Sequence, residues 1–308
     1  MWRKTLPRLA AQALLVTALS LSGTNAQSDP PLVVATIPPV HSLVAEVMKG
    51  IGVPTLLLNG AASPHTYALR PSDARRLHSA RIIFWIGPSL EGFLTRSLAA
   101  LSGKARVVTL TKVSTMNLMA TRGRHPDGRT GNPTPDPHLW LDPGNAQQIV
   151  ALAADALASE DPQNADGYRR NATRAAARLD TLTQRIKSQF TGKPVAPFIL
   201  FHDSFQYLER ALGLSAAGFV TVDPDRPPGA RHLSDIHAVI SDAEAACVFT
   251  EPQFEPRLIP TLVKGTRARI AVLDALGSSL QAGPGLYFEM MENNLDALAG
   301  CLIGRGGG

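Results

Sequence analysis

The chain has 308 residues, 44% of them hydrophobic and 18% charged, with a formal charge of +5. That length suits two domains or one large one, and the composition is that of a folded protein with substantial cores. Arg3, Lys4 and Arg8 supply part of the basic excess, and without them 27 basic residues face 25 acidic ones. No Lys/Arg stripe is interleaved with aromatic residues, so nucleic acid is not an expected partner.

Residues 1–26 read as a secretory signal. A basic start is followed by an apolar stretch over about 9–21, and Thr24-Asn25-Ala26 places small residues before a new start at Gln27. The stretch is short for a bilayer span. No cysteine stands at the cleavage point, which argues against a lipid anchor. The expected location is a periplasm. The chain has two cysteines, Cys247 and Cys301. In an oxidising compartment such a pair reads as one disulfide, with two free buried thiols as the alternative.

Beyond the signal, short apolar runs alternate with helical patterns. Strands are expected over 32–37, 53–58, 81–86 and 105–110. Helices are expected over 41–49, from Arg70 through Leu77, and over 90–101. Pro38-Pro39 is read as the stop of the first strand, and Ser72 and Asp73 as capping candidates. Strand–helix alternation at this spacing predicts a parallel α/β sheet. Residues 112–137 are rich in Gly, Pro, Asn and Thr and read as a surface loop. A helix is expected over 146–159 and a longer one over 162–190. The longer helix carries an apolar face of Tyr168, Ala172, Ala175, Leu179, Leu182 and Ile186. At 1.5 Å per residue it would run roughly 40 Å, as long as a domain is wide. Four more strands, over 196–201, 217–222, 247–250 and 270–273, alternate with helices over 204–212, 234–245, 255–265 and 285–302. The expected organisation is an N-terminal α/β lobe over 27–160, a rigid linker helix over 161–192 and a C-terminal α/β lobe over 193–308.

Four residues with metal-binding chemistry sit beside these strands. His202 and Asp274 directly follow predicted strands. His65 lies seven residues past one, and His138 precedes Leu-Trp-Leu. In open α/β sheets ligands bind beyond the carboxyl ends of strands. Two candidates from each lobe would meet in the crevice between them, and three imidazoles with one carboxylate suit tetrahedral Zn²⁺. Each histidine taken singly says little; their joint placement carries the expectation. Asp203 and Glu251 stand close enough in sequence to support the imidazoles. His41, at a helix start, is expected to be solvated or capping. His232 and His237, near Asp223, Asp225 and Asp235, are expected to form a polar surface.

Four segments are more specific: Gly60-Ala-Ala-Ser-Pro-His-Thr-Tyr-Ala-Leu-Arg-Pro-Ser-Asp, Asp136-Pro-His-Leu-Trp-Leu-Asp-Pro, Phe201-His-Asp-Ser-Phe and Thr250-Glu-Pro-Gln-Phe. Through them the chain from about Leu32 to Leu302 resembles the zinc-specific solute-binding proteins of bacterial ABC importers, in the metal-binding cluster that also holds manganese receptors. The resemblance implies His65, His138 and His202 as zinc ligands, with a carboxylate or water fourth. Asp274 matches that fourth place by position. It also implies a Cys247–Cys301 disulfide and a monomer that hands Zn²⁺ to a membrane permease driven by a cytoplasmic ATPase. Manganese receptors of the cluster typically carry Glu where this chain has His202, and a third imidazole favours zinc over manganese or iron. Many zinc members have a His- and acid-rich loop before the second histidine. Here 112–137 holds only His125, so a zinc-collecting role for the loop is not expected. The rival class is a secreted zinc hydrolase, disfavoured by the lack of an HExxH motif. A surface adhesin of the same cluster is disfavoured by the missing anchor cysteine.

Overall fold

The structure, a computed structural model, describes residues 1–2, 29–60, 62–101, 103–122, 134–221, 228–254 and 259–303. The expected signal cleavage, the loop residue His125, and Asp223, Asp225 and Glu255 lie outside them. Among the described residues no helix is long and apolar enough to cross a membrane.

The first apolar runs become strands because their β-branched and aromatic side chains suit a parallel sheet that is buried at its centre and part-buried at its edges. These are β1 (Val33–Ala35), β2 (Thr55–Leu56), β3 (Ile82–Trp85) and β4 (Arg106–Thr109), with β1 and β3 fully buried. They form a parallel sheet in the order β2-β1-β3-β4. A second parallel sheet repeats that order as β6-β5-β7-β8. Its strands are β5 (Phe198–His202), β6 (Gly218–Thr221), β7 (Cys247–Thr250) and β8 (Arg269–Val272). The expected pair of parallel α/β lobes is what forms. In each sheet the chain leaves the first strand for one side and returns on the other. That opens a crevice beyond the carboxyl ends of β1 and β3 and of β5 and β7.

The helices are α1 (Pro38–Met48), α2 (Pro71–Ser79), α3 (Thr95–Ala99), α4 (Pro143–Glu160), α5 (Ala165–Gln189), α6 (Gln206–Leu212), α7 (Ala230–Asp242), α8 (Ile259–Leu262) and α9 (Leu286–Leu302). Pro38-Pro39 ends the strand and also opens α1, because a proline at the first helical position loses no hydrogen bond. Asp142 caps α4 by accepting from Gly144 N at 2.7 Å. The single helix expected over 90–101 is instead a 3₁₀ turn, Gly92–Leu94, followed by the short α3. The helix expected from Pro162 begins as a 3₁₀ turn and becomes α-helical at Ala165.

At 25 residues α5 is the longest helix among the described residues, about 37 Å at 1.5 Å per residue. Its stripe of Tyr168, Ala175, Leu179, Leu182 and Ile186 is buried. It touches both lobes. Asn171 donates to the Val47 and Lys49 carbonyls at the end of α1. Arg178 pairs with Glu46 of α1 while lying 3.7 Å over the ring of Phe288 in α9. Arg185 reaches Asp296 of α9 at 2.7 Å. One apolar core runs through β1, α1, α4 and α5 into β5, α6 and α9. Cys247 of β7 and Cys301 of α9 form a disulfide, with Cα atoms 6.3 Å apart.

Candidate metal centre

His65, His138 and His202 converge. Their ligand-capable atoms all lie within 4.8 Å of one another. Ring centroids are 5.7 Å apart for His65–His138, 5.3 Å for His65–His202 and 4.9 Å for His138–His202.

Each ring is placed by its own element. His65 lies in a turn after β2, and its N–H donates to Ser63 Oγ. The chain beyond is anchored at the start of α2, where Asp73 accepts from Tyr67 Oη at 2.8 Å and Arg70 N at 3.0 Å. His138 is buried immediately before the 3₁₀ turn Leu139–Leu141. Asp136 Oδ1 accepts from the His138 N–H at 3.0 Å and pairs with ring Nδ1 at 2.8 Å. An ionised carboxylate can only accept, so Nδ1 carries the proton and Nε2 presents its lone pair. Burial pushes the Asp136 carboxyl up, but its electrostatic interaction with His138 and the hydrogen bonds from His138 and Gln206 outweigh this and hold it below the usual range. His202 ends β5, at the crevice of the C-terminal sheet, and Glu251 follows β7 directly across it. Glu251 Oε1 stands 3.4 Å from His202 Nδ1 and accepts from Ser204 Oγ at 3.3 Å.

Burial, and then the neighbouring His138 and His202, push the His65 pKa down to about 2. That imidazole stays neutral, the form that ligates metal. Pro64, Trp140, Phe254, Ala275 and Leu276 surround the three rings together with Glu251 and Gln253. The cavity they enclose is about 20 Å³, room for one water-sized particle. Three imidazole nitrogens in a mostly apolar surround suit a divalent metal ion that prefers nitrogen donors.

Asp274 does not join the three rings in that cluster. Its carboxylate accepts from Leu276 N (3.1 Å), Ser278 Oγ (3.1 Å), Ser279 N (3.3 Å) and Gln253 Nε2 (2.9 Å). Asn294 clamps its backbone N–H and carbonyl. The residue thus shapes the loop that brings Ala275 and Leu276 to the cavity. Gly277 allows that turn: its φ is +65°, and a Cβ there would meet Leu286 at 2.8 Å. The loop is also tied to the N-terminal lobe, because Trp140 Nε1 donates to the Ala275 carbonyl at 2.7 Å.

Glu251 is near His202, as its sequence position suggested, but Asp203 turns away to Arg122. The support from Asp136 was not foreseen. Its two-residue spacing from His138, which lets a side-chain oxygen reach the backbone N–H two residues on, was the available signal. His41 bonds the Pro54 carbonyl, and His232 and His237 bond the Val220 and Leu262 carbonyls. None of these three joins a metal-suited cluster among the described residues.

A family profile described as "Zinc-uptake complex component A periplasmic" matches residues 33–301. The chain belongs to this family, ZnuA. A ZnuA-family relative from Brucella abortus, named "High-affinity zinc uptake system protein ZnuA", is 38% identical over 304 residues, covering 88% of this chain and 91% of its own. Among solved structures, "Crystal structure of ZnuA" aligns with TM-score 0.75 at 23% identity, covering 89% of this chain and 99% of that one. "Structure of the SBP FpvC from pseudomonas aeruginosa in complex with Mn2+" aligns with TM-score 0.78 at 22% identity, covering 88% and 98%. Both show the same two-lobed fold, and the fold alone therefore does not choose the metal.

Proposed function

We propose that this ZnuA-family chain is a periplasmic receptor that captures Zn²⁺ and delivers it to the permease of an ABC importer. It acts as a monomer after removal of residues 1–26, and it catalyses no reaction. The observation that carries this reading is the inter-lobe cluster of three buried or half-buried imidazoles, with carboxylates behind two of them. His65, His138 and His202 are the ligands, and the fourth place is open to water. Three nitrogen donors favour zinc over manganese, which leans toward carboxylate and water. A hydrolase needs a free base facing its substrate. Here Asp136 is engaged by His138 and Gln206, and Glu251 by Ser204 beside His202.

The test is metal content and chelator competition on the mature chain, with His65→Ala, His202→Ala and Asp274→Ala. One zinc per chain is expected. Both histidine variants should weaken it by more than about 100-fold, beyond the loss expected for an outer partner. Asp274→Ala should keep one zinc per chain with a lower melting temperature. Zinc unaffected by both histidine changes would refute the assignment, and zinc lost outright in Asp274→Ala would return that carboxylate to the ligand set.

A further inference from the structure

Residues 119–121 and 134–136 pair as a short antiparallel stem just before His138. Thr121 N donates to Thr134 O at 2.9 Å and Asp136 N to Met119 O at 2.8 Å, around an Ala120–Pro135 bridge. By sequence the stem belongs to the N-terminal lobe, yet its hydrogen bonds reach across to α6. Tyr207 Oη donates to the Asp136 carbonyl and accepts from Met119 N, both at 3.0 Å. Gln206 Nε2 donates to Ala120 O at 3.0 Å and Asp136 Oδ2 at 2.9 Å.

Arg122 closes this contact. Its guanidinium grips Glu209 through Nη1 to Oε2 at 3.0 Å and Nη2 to Oε1 at 2.6 Å. It also grips Asp203, with Nε to Oδ1 at 3.1 Å and a second bond from Nη2. Asp203 and Glu209 are only 9% and 4% exposed, so one cation is shared by two buried carboxylates, with the Ala216 N–H as a further donor to Glu209 at 2.8 Å. A planar guanidinium suits this double bidentate geometry, and a compact ammonium reproduces it only in part. Burial pulls the Arg122 pKa down, and the two carboxylates more than reverse that, so the group stays charged.

The two ends of this contact bear on two different ligands. On the stem side, Asp136 holds His138. On the α6 side, Asp203 directly follows His202. We propose that Arg122 is a positioning residue of the metal site: it latches the His138 stem onto the segment carrying His202, fixes the spacing of these rings and slows metal release. This rests on the zinc-receptor reading above, with His65, His138 and His202 as ligands.

The test uses Arg122→Gln and Arg122→Lys in the full mature chain. Zinc release is followed after mixing with excess chelator, and the visible spectrum of the Co²⁺-loaded protein reports ligand geometry. Arg122→Gln should release zinc about 10-fold faster or more, the range seen when outer partners of ligands are lost, with an altered Co²⁺ spectrum. Arg122→Lys should restore part of both. Should Arg122→Gln not fold, Arg122→Met combined with Asp203→Asn and Glu209→Gln leaves no unpaired buried charge and carries the same expectation. Release within twofold of wild type and an unchanged Co²⁺ spectrum, while His202→Ala loses zinc, would overturn the latch and leave the receptor reading standing. A wild-type chain that holds no zinc would overturn both.

Discussion

Asp136→Asn tests how far the metal site depends on a residue that never touches the ion. The carboxylate receives three donors: the His138 N–H at 3.0 Å, His138 Nδ1 at 2.8 Å and Gln206 Nε2 at 2.9 Å. Asparagine keeps the shape, but its amide nitrogen must face one of those donors, and the charge on the remaining bonds is lost. Hydrogen bonds to a charged group contribute about 1.5–3 kcal/mol. Outer partners of metal-bound histidines independently account for about 10–100-fold in affinity, or about 1.4–2.8 kcal/mol. The two estimates agree, so zinc affinity should fall by about one to two orders of magnitude with stoichiometry kept at one. Competition against a chromophoric chelator measures this. A thermal melt of the zinc-free protein separates loss of folding from loss of ring orientation. An affinity within twofold of wild type, in a chain that melts normally, would refute the claim that Asp136 sets the tautomer and direction of His138.

Two further outcomes concern stability. The Cys247–Cys301 disulfide closes a loop of sequence separation 54, and loop-closure entropy then contributes about 4 kcal/mol. Cys247→Ser with Cys301→Ser should lower the urea midpoint accordingly, and an unchanged midpoint would show that the bond constrains nothing. Glu91 is fully buried beneath the end of β3, where Oε2 accepts from Ile86 N at 2.7 Å and Gly87 N at 3.3 Å. Burial pushes its pKa from 4.5 up to about 7. The folded state therefore binds this proton more tightly than the unfolded state. The stabilisation is fully present below about pH 4.5, falls as pH rises through about 7, and amounts to about 3 kcal/mol. Glu91→Gln should remove that decline, as read by denaturant unfolding at pH 5 and pH 8. An identical pH slope in the variant would exclude Glu91 as its source.

The fold was largely legible because apolar runs of period-two or unbroken character, spaced by helical patterns, leave few arrangements other than parallel α/β lobes. The three histidines were legible for the same reason, since each stands near a strand end or in a segment rich in turn residues. Local sequence also placed Asp73 at the start of α2, where it accepts from Arg70 N, whereas α1 and α4 begin three residues before the expected 41 and 146, at Pro38 and Pro143. Only the tertiary structure decided what each carboxylate does. Asp274 and Glu251 both follow a strand of the C-terminal sheet, and proximity in sequence gave Asp203 as strong a claim as Glu251 to support an imidazole. Their fates diverge because of partners 20 or more residues away. Gln253 and Asn294 fix Asp274 in its loop, Arg122 takes Asp203, and Glu251 faces His202. A carboxylate settles where donors neutralise it in a low-dielectric interior, and no local pattern records which distant donors the fold will bring.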